Sequence, residues 1–533
     1  MDARLTRRAA VTGAVVSSVA AAGVGPWLRA SAQDGEPVPG GTLRLAISEE
    51  PDFLDPARTI LLLSANLMNH MHDRLVYIDA EGLPQPWLAE SWEVSEDGLT
   101  LTFQIREGVM FTDGTPVDAA AIKANFDRHL DPEVASPRLA NLGPLESTEA
   151  PDATTLVMNF SEPFAPIFTV LSGLFIYSPT AQETLGDEYG RNPVGSGPFM
   201  LSAWDAGTRL LLERNPDYVN HRGDDTNAGA AYLDAIEFFV IPESSTQTAA
   251  FETGELDLLN PEREEMARVA ELPDIQIVSL EQSFNLNFIE FSNFAPYNLE
   301  AFRRAVSYAI NREQLVDLAY FGNATVHQCP IPIGNAAWDE ALCAEYGTSY
   351  DPELARQTLA DAGWTDEDGD GYVEIDGSAD PVVLSTYGPF PVQARSVELM
   401  QGDLDAVGIR TEIQVLETPA LLAGIESGEI GMDYMRWTYS DQLILSLLFK
   451  TPGWTEQLSD ADLDALLQVS ETTLDPEARI EATRAAMQYI LEQNYIVPIN
   501  SDWVQVAVRA NVQNYHWDAL ANERLIDAWI AAE

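Results

Sequence analysis

The chain has 533 residues, too many for a single hydrophobic core, so it must divide into two or three domains. Its 46% hydrophobic and 21% charged residues exclude disordered and fibrous classes. Asp and Glu number 84 against 29 Lys and Arg, and the resulting net charge of −55 repels phosphate backbones and anionic lipid surfaces, which argues against nucleic acid as a partner. The acids are spread along the whole chain, as on a surface hydrated in salty surroundings, and point to no cationic ligand.

The N-terminus reads as an export signal. Arg4, Arg7 and Arg8 form a basic region, Ala9 to Gly25 is small and apolar, and Ala30-Ser31-Ala32 is a cleavage pattern. Thr6-Arg7-Arg8 is similar to a twin-arginine motif, with Ala10 where that motif has Phe or Leu; a general secretory signal is the other reading. No cysteine marks a lipid anchor, and no later apolar run approaches the ~20 residues that span a bilayer. The mature chain, from about Gln33, is therefore expected to be periplasmic and without a membrane anchor.

Thr42-Leu-Arg-Leu-Ala-Ile-Ser48 alternates as an opening strand, followed by the Pro-interrupted loop Glu49 to Pro56. Ile60 to Tyr77 has helical apolar spacing. LAESWEVSEDGLTLTFQIREGVMF reads strand–turn–strand around Asp97-Gly98, and Pro116 to Arg128 as a helix with Thr115 as a candidate cap. TTLVMNF is a strand, NPVGSGPF a turn, FMLSAWDAGTRLLLERNPDY a hairpin, AAYLDAIEFFVI a strand, and ESSTQTAAFETGELDLL a helix falling into a short strand. LEAFRRAVSYAINREQLVDLAYF is one long periodic helical stretch and PELARQTLADAGW another helix. Val382 to Glu417 reads strand–helix–strand, a βαβ unit, and this alternation sets a mixed α/β class.

Cys329 and Cys343 lie 14 positions apart, a spacing that suits a disulfide in an oxidising compartment. Buried free thiols are the alternative, while the absence of His or further Cys between them speaks against zinc. Asp366, Asp368, Asp370 and Gly371 match the first half of a calcium loop. Its twelfth position is Gly377 instead of Glu, so a plain surface turn competes with a calcium site. His70 and His72, two apart, point to different helix faces, and no G-x-S-x-G elbow or HExxH is present for a secreted hydrolase.

Four segments in register resemble the extracellular solute-binding proteins of peptide, nickel and related ABC importers. They are LAESWEVSEDGLTLTFQIREGVMFTDGTPVDAAAIKANFDR, NPVGSGPFMLSAWDAGTRLLLERNPDY, FRRAVSYAINREQLV and YDPELARQTLADAGW. The resemblance runs from about Gly40 to the last helix. It implies a two-lobed periplasmic-binding-protein fold (class II-like, cluster C) with a hinge and an extra inserted domain. Residues 33–65, 195–283 and 503–533 would form the first lobe, 66–194 the inserted domain and 284–502 the second lobe. It implies a monomer without cofactor or enzymatic activity that captures a peptide-like ligand and docks on a permease with its ATPase. A nickel chelate, glutathione-like peptide, opine or oligosaccharide remains open as cargo, and a chaperone or sensor role as function.

By the same resemblance the first-lobe loop with Glu49, Phe53 and Leu54 lines the cleft; a rigid structural turn is the equal alternative. From the second lobe come Tyr387, Arg436, Trp437, Tyr439 and Asp441. Asp441 is the candidate partner of a ligand ammonium and Trp437 and Tyr439 candidate aromatic walls, with core packing or a surface acid as the alternatives. Arg436 stands where relatives carry a small residue, and suits a carboxylate. Tyr387 to Arg395 lacks the arginine that dipeptide binders place near Gly388, which points to longer peptides or a non-peptide ligand.

Overall fold

The computed structural model describes residues 36–59, 61–388, 390–451 and 459–531. The export signal and its cleavage pattern lie outside the described residues.

The first lobe is built on a four-stranded sheet in the order Thr42–Ile47, Ala235–Val240, Arg209–Arg214, Phe199–Asp205. Its first two strands are parallel and the other pairs antiparallel, because the Phe199–Asp205 and Arg209–Arg214 strands are a local hairpin while Thr42–Ile47 arrives from a distant segment. The alternation expected of Thr42–Ile47 appears as a buried row of Leu43, Leu45 and Ile47. A three-stranded sheet, Leu258–Leu259, Val504–Arg509 and Ile275–Leu280, completes the lobe.

The segment expected as a helix to Tyr77 is shorter. Helix Leu62–Met68 ends where His72 Nδ1 lies 3.0 Å from the Met68 carbonyl, and the chain then runs buried and polar into strand Val76–Ile78. Leu67, Met68, Met71 and Phe175 pack in the first-lobe core. The inserted domain follows, with a four-stranded antiparallel sheet (Ala89–Val94, Thr100–Ile105, Thr155–Phe160, Leu145–Glu149) covered by helix Ala119–Leu130. Asp118, not Thr115, caps that helix, accepting from the Ala121 amide.

The second lobe holds a six-stranded sheet in the order Ala324–Val326, Ile496–Asp502, Asn285–Phe291, Met432–Thr438, Val382–Gly388, Thr411–Glu417. The βαβ unit forms with its strands parallel and helix Pro391–Ala406 between them. Apolar cores fill both faces of this sheet. The long helix expected after Asn298 is two, Glu300–Ala309 and Arg312–Ala319, because Asn311 turns its side chain onto the Gln314 amide and starts a new helix. Cys329 and Cys343 are joined, with Cα atoms 5.1 Å apart, in the second core.

Two segments cross between the lobes: residues 281–284, from strand Ile275–Leu280 to Asn285–Phe291, and Trp503, from Ile496–Asp502 to Val504–Arg509.

Candidate ligand-binding cleft

Cross-strand register builds the second-lobe wall. Strand Met432–Thr438 lies between Asn285–Phe291 and Val382–Gly388, which places Asn287 opposite Arg436 and Leu286 opposite Trp437. The Arg436 side chain is 43% exposed and points Nη1 at Asp502 Oδ2, 3.4 Å away. Asp502, the last residue of its strand and 1% exposed, is shared: Arg263 of the first lobe bonds the same oxygen, and Asn287 Nδ2 donates to Oδ1 at 2.9 Å. Burial opposes the charge on Arg436, but the carboxylate of Asp502 together with the phenols of Tyr387, Tyr320 and Tyr434 raises the guanidinium's pKa on balance.

Tyr387 is the penultimate residue of the adjacent strand. Its hydroxyl accepts from Gln393 Nε2 at 3.1 Å, and its ring meets that of exposed Phe390 edge-on at 5.4 Å. Trp437 and Tyr439 are half-buried and pack against the second core, and burial pushes the Tyr439 phenol up to about 12.

The loop Glu49–Pro56 is pinned on all sides. Glu50 accepts from Trp204 Nε1 (2.7 Å), Arg191 Nη1 (2.9 Å) and the Gly207 amide (3.0 Å). Asp55 pairs with Arg128 of the inserted domain through both carboxylate oxygens (2.6 and 2.7 Å). Leu54 is fully buried in the first core and its amide bonds the Gly190 carbonyl at 2.7 Å, so its side chain cannot line the cleft as expected. Phe53 packs against Gly190 and under Arg58, while Glu49 is exposed. Beside the loop, a cavity of about 540 Å³ opens between Leu45–Ser48, helix Leu62–Met68 and residues 258–262, ending next to Arg263.

Asp441 also departs from expectation. It is 6% exposed, and Arg479 grips it with Nη2 2.5 Å from Oδ1 and Nη1 2.9 Å from Oδ2. Thr169 of the inserted domain donates to Oδ2 at 2.6 Å and the Leu443 amide to Oδ1 at 2.8 Å. Burial alone would raise this carboxyl's pKa, but Arg479 reverses the shift and holds it low. With four donors already in place, Asp441 has no capacity for a ligand ammonium. Arg479 lies 38 residues away in helix Pro476–Glu492, and the local sequence carries no signal of this pairing.

The second lobe touches the inserted domain and the first lobe around the cleft. The Ala165 amide donates to Glu471 O at 2.8 Å, Gly82 presses on Ala336, and Arg395 Nη2 reaches Glu264 of the first lobe at 3.1 Å.

The acidic loop turns inward on itself. Asp366 accepts from the Gly369 (2.7 Å) and Gly371 (3.0 Å) amides, and Asp370 pairs with Arg410, which takes it from the expected calcium set. Carboxylate oxygens of Asp366, Asp368 and Glu374 lie within 4.8 Å of one another, so the third acid is Glu374, at the ninth position of the calcium-loop pattern, where the ligand often acts through a water. His70 and His72 are buried, and burial holds them neutral, down to about 3 and about 4. No helix among the described residues is long and apolar enough to cross a membrane.

Residues 84–453 match the sequence profile of bacterial extracellular solute-binding proteins, family 5. The chain belongs to this family. It is similar to the glutathione-binding protein GsiB of Escherichia coli (strain K12), 27% identical over 481 residues, covering 85% of this chain and 88% of the relative. GsiB of Shigella flexneri serotype 5b (strain 8401) matches with the same identity and coverage. Among solved structures, the fold is shared with the oligopeptide-binding protein AppA of Bacillus subtilis in complex with a nonapeptide (TM-score 0.72, 22% identity, 93% of this chain and 100% of that one). NikA of Brucella suis in complex with Fe(III)-EDTA superimposes with a TM-score of 0.80 at 23% identity, covering 92% and 100%. The chain is thus a family 5 solute-binding component of an ABC transporter, with the two-lobed fold described above. Members of the family act outside the cytoplasm, bind small ligands without being enzymes, and work with ABC permeases.

Proposed function

We propose that the protein captures a peptide-like ligand between its lobes and delivers it to a permease as a soluble periplasmic monomer without catalytic activity, after export and cleavage near Ala32. The observation that carries this reading is the half-exposed Arg436 guanidinium, within electrostatic reach of Tyr387, beside a hinge where Asp502 already links the two lobes. A ligand touching both walls adds contacts to the closed arrangement only, and so favours it. Glutathione as the ligand of GsiB and a nonapeptide in AppA support a peptide cargo. The division into residues 33–65, 195–283 and 503–533, residues 66–194, and residues 284–502 remains our working description of the lobes and inserted domain, adjusted for the first-core packing of Leu67 to Met71 and Phe175. Glu49, Phe53, Tyr387, Arg436, Trp437 and Tyr439 stay as candidate ligand contacts.

A second reading keeps the fold and changes the cargo to a carboxylate-rich chelate or opine. NikA in complex with Fe(III)-EDTA and the protein AgaA in complex with agropinic acid favour it. Native mass spectrometry of the mature protein, with identification of what it releases, separates the two. A ladder of peptide masses supports the first reading and one defined chelate or opine the second. Turnover of a peptide or ester by the pure protein would overturn both in favour of a hydrolase.

A further inference from the structure

The acid that the sequence offers to a ligand ammonium is saturated from within the protein, because Arg479, Thr169 and the Leu443 amide occupy both oxygens of Asp441. What the second-lobe wall leaves open is cationic. Arg436 has five donors, and among the described residues its one acceptor is Asp502 at 3.4 Å, the outer limit of a hydrogen bond. That oxygen is already bonded by Arg263, whose guanidinium also lies over the Tyr320 ring at 5.3 Å. Arg395 approaches the junction from helix Pro391–Ala406: Nη2 meets Glu264, and its buried Nη1 has no protein partner.

The same helix contributes a positive end. Among the described residues it has no side-chain cap, and it starts at Pro391, close after the strand that ends at Gly388, which sets its N-terminus at the carboxyl end of the sheet. Tyr387 joins the two features, taking a hydrogen bond from Gln393 in the first turn while lying within electrostatic reach of Arg436. In a chain with 84 acids and 29 bases, three arginines meeting two carboxylates at the mouth of a hinge is a local reversal of charge.

We infer that the cleft selects its ligand by a carboxylate, held by Arg436 at the uncapped start of helix Pro391–Ala406, and does not recognise a free ammonium at Asp441. The ligand class is small carboxylic acids of peptide-like reach, with blocked and free amines accepted alike. This rests on the solute-capture reading and names the chemistry of that same site. Arg436 makes charge-assisted bonds to the acid, and its planar fork permits a bidentate grip that an amide cannot return.

The test is calorimetric titration of the mature protein, stripped of co-purifying ligand, with N-acetyl-trialanine, trialanine and trialanine amide. The two free acids should bind within about threefold of each other, and the amide at least about tenfold more weakly, as expected for loss of a charge-assisted bond. Arg436→Met should erase the preference for acid over amide, Arg436→Lys should keep part of it, and both should melt within a few degrees of the parent, showing that they fold. Equal binding of acid and amide, or a preference that survives Arg436→Met, overturns the assignment and leaves solute capture standing. A loss on acetylation as large as on amidation restores an ammonium site and also overturns it. Failure of the parent protein to bind any of the three overturns the peptide-like reading and this inference together.

Discussion

Arg479 and Asp441 form a two-armed buried ion pair, with nitrogen–oxygen distances of 2.5 and 2.9 Å, and Thr169 fastens it to the inserted domain. The pair therefore acts as a joint between the second lobe and the inserted domain.

Removing one partner leaves a buried charge uncompensated, which typically costs about 3–5 kcal/mol. Arg479→Met should lower the stability of the protein by that amount in urea titration, and the double change Arg479→Met with Asp441→Leu should recover much of it. A single variant with unchanged stability would show that the pair is not closed in solution.

The bridge between Cys329 and Cys343 closes a loop of 14 residue steps, for which the chain-entropy account gives roughly 3 kcal/mol. Both cysteines are buried, so reduction requires denaturant or heat. The fully reduced protein should melt several degrees lower. Thiols that titrate in the native protein before any reductant is added would rule the bridge out.

Asp433 lies directly opposite Glu290 in the second-lobe sheet, and both are buried. Burial lifts the Asp433 carboxyl from its ordinary 3.8 to about 8. A folded-state pKa above the unfolded value means that the native state holds the extra proton, so stability falls as pH rises between those two values. Asp433→Asn abolishes that proton uptake. Its melting temperature relative to the parent should rise from about pH 4 to about pH 8 and then level off; a constant offset would refute the assignment.

Gly82 has φ +80°, and a Cβ there would stand 2.3 Å from that of Ala336 across the junction between inserted domain and second lobe. Gly82→Ala strains a left-handed turn and also wedges the junction apart. Small-angle scattering should report a larger radius of gyration, and ligand affinity should fall by about tenfold although residue 82 is no candidate ligand contact. Unchanged affinity would show that this contact is not part of closure.

Much of the fold was legible because its signals are local. Alternation gave Thr42–Ile47, Asp97-Gly98 gave the hairpin between Ala89–Val94 and Thr100–Ile105, and the period change across 382–417 gave the βαβ unit. Periodicity overran at Ile310–Asn311, where the Asn311 cap starts a new helix, and beyond Met68, because the apolar spacing continues past both helix ends. The first-lobe loop was located in sequence, but its anchors Arg128, Arg191 and Trp204 lie far along the chain.

The sequence alone determined the family, the α/β class, the acidic surface and the presence of an arginine at position 436, since each depends on composition, spacing or ordered motifs. Only the tertiary structure decided which charges are spent. Asp441 and Arg436 lie five residues apart and are equally polar in one dimension, yet one is closed off by Arg479 and Thr169 while the other stands half open beside Asp502. The reason is physical: an ion pair's partner is chosen by through-space distance and burial, and neither is encoded in the identity of its neighbours along the chain.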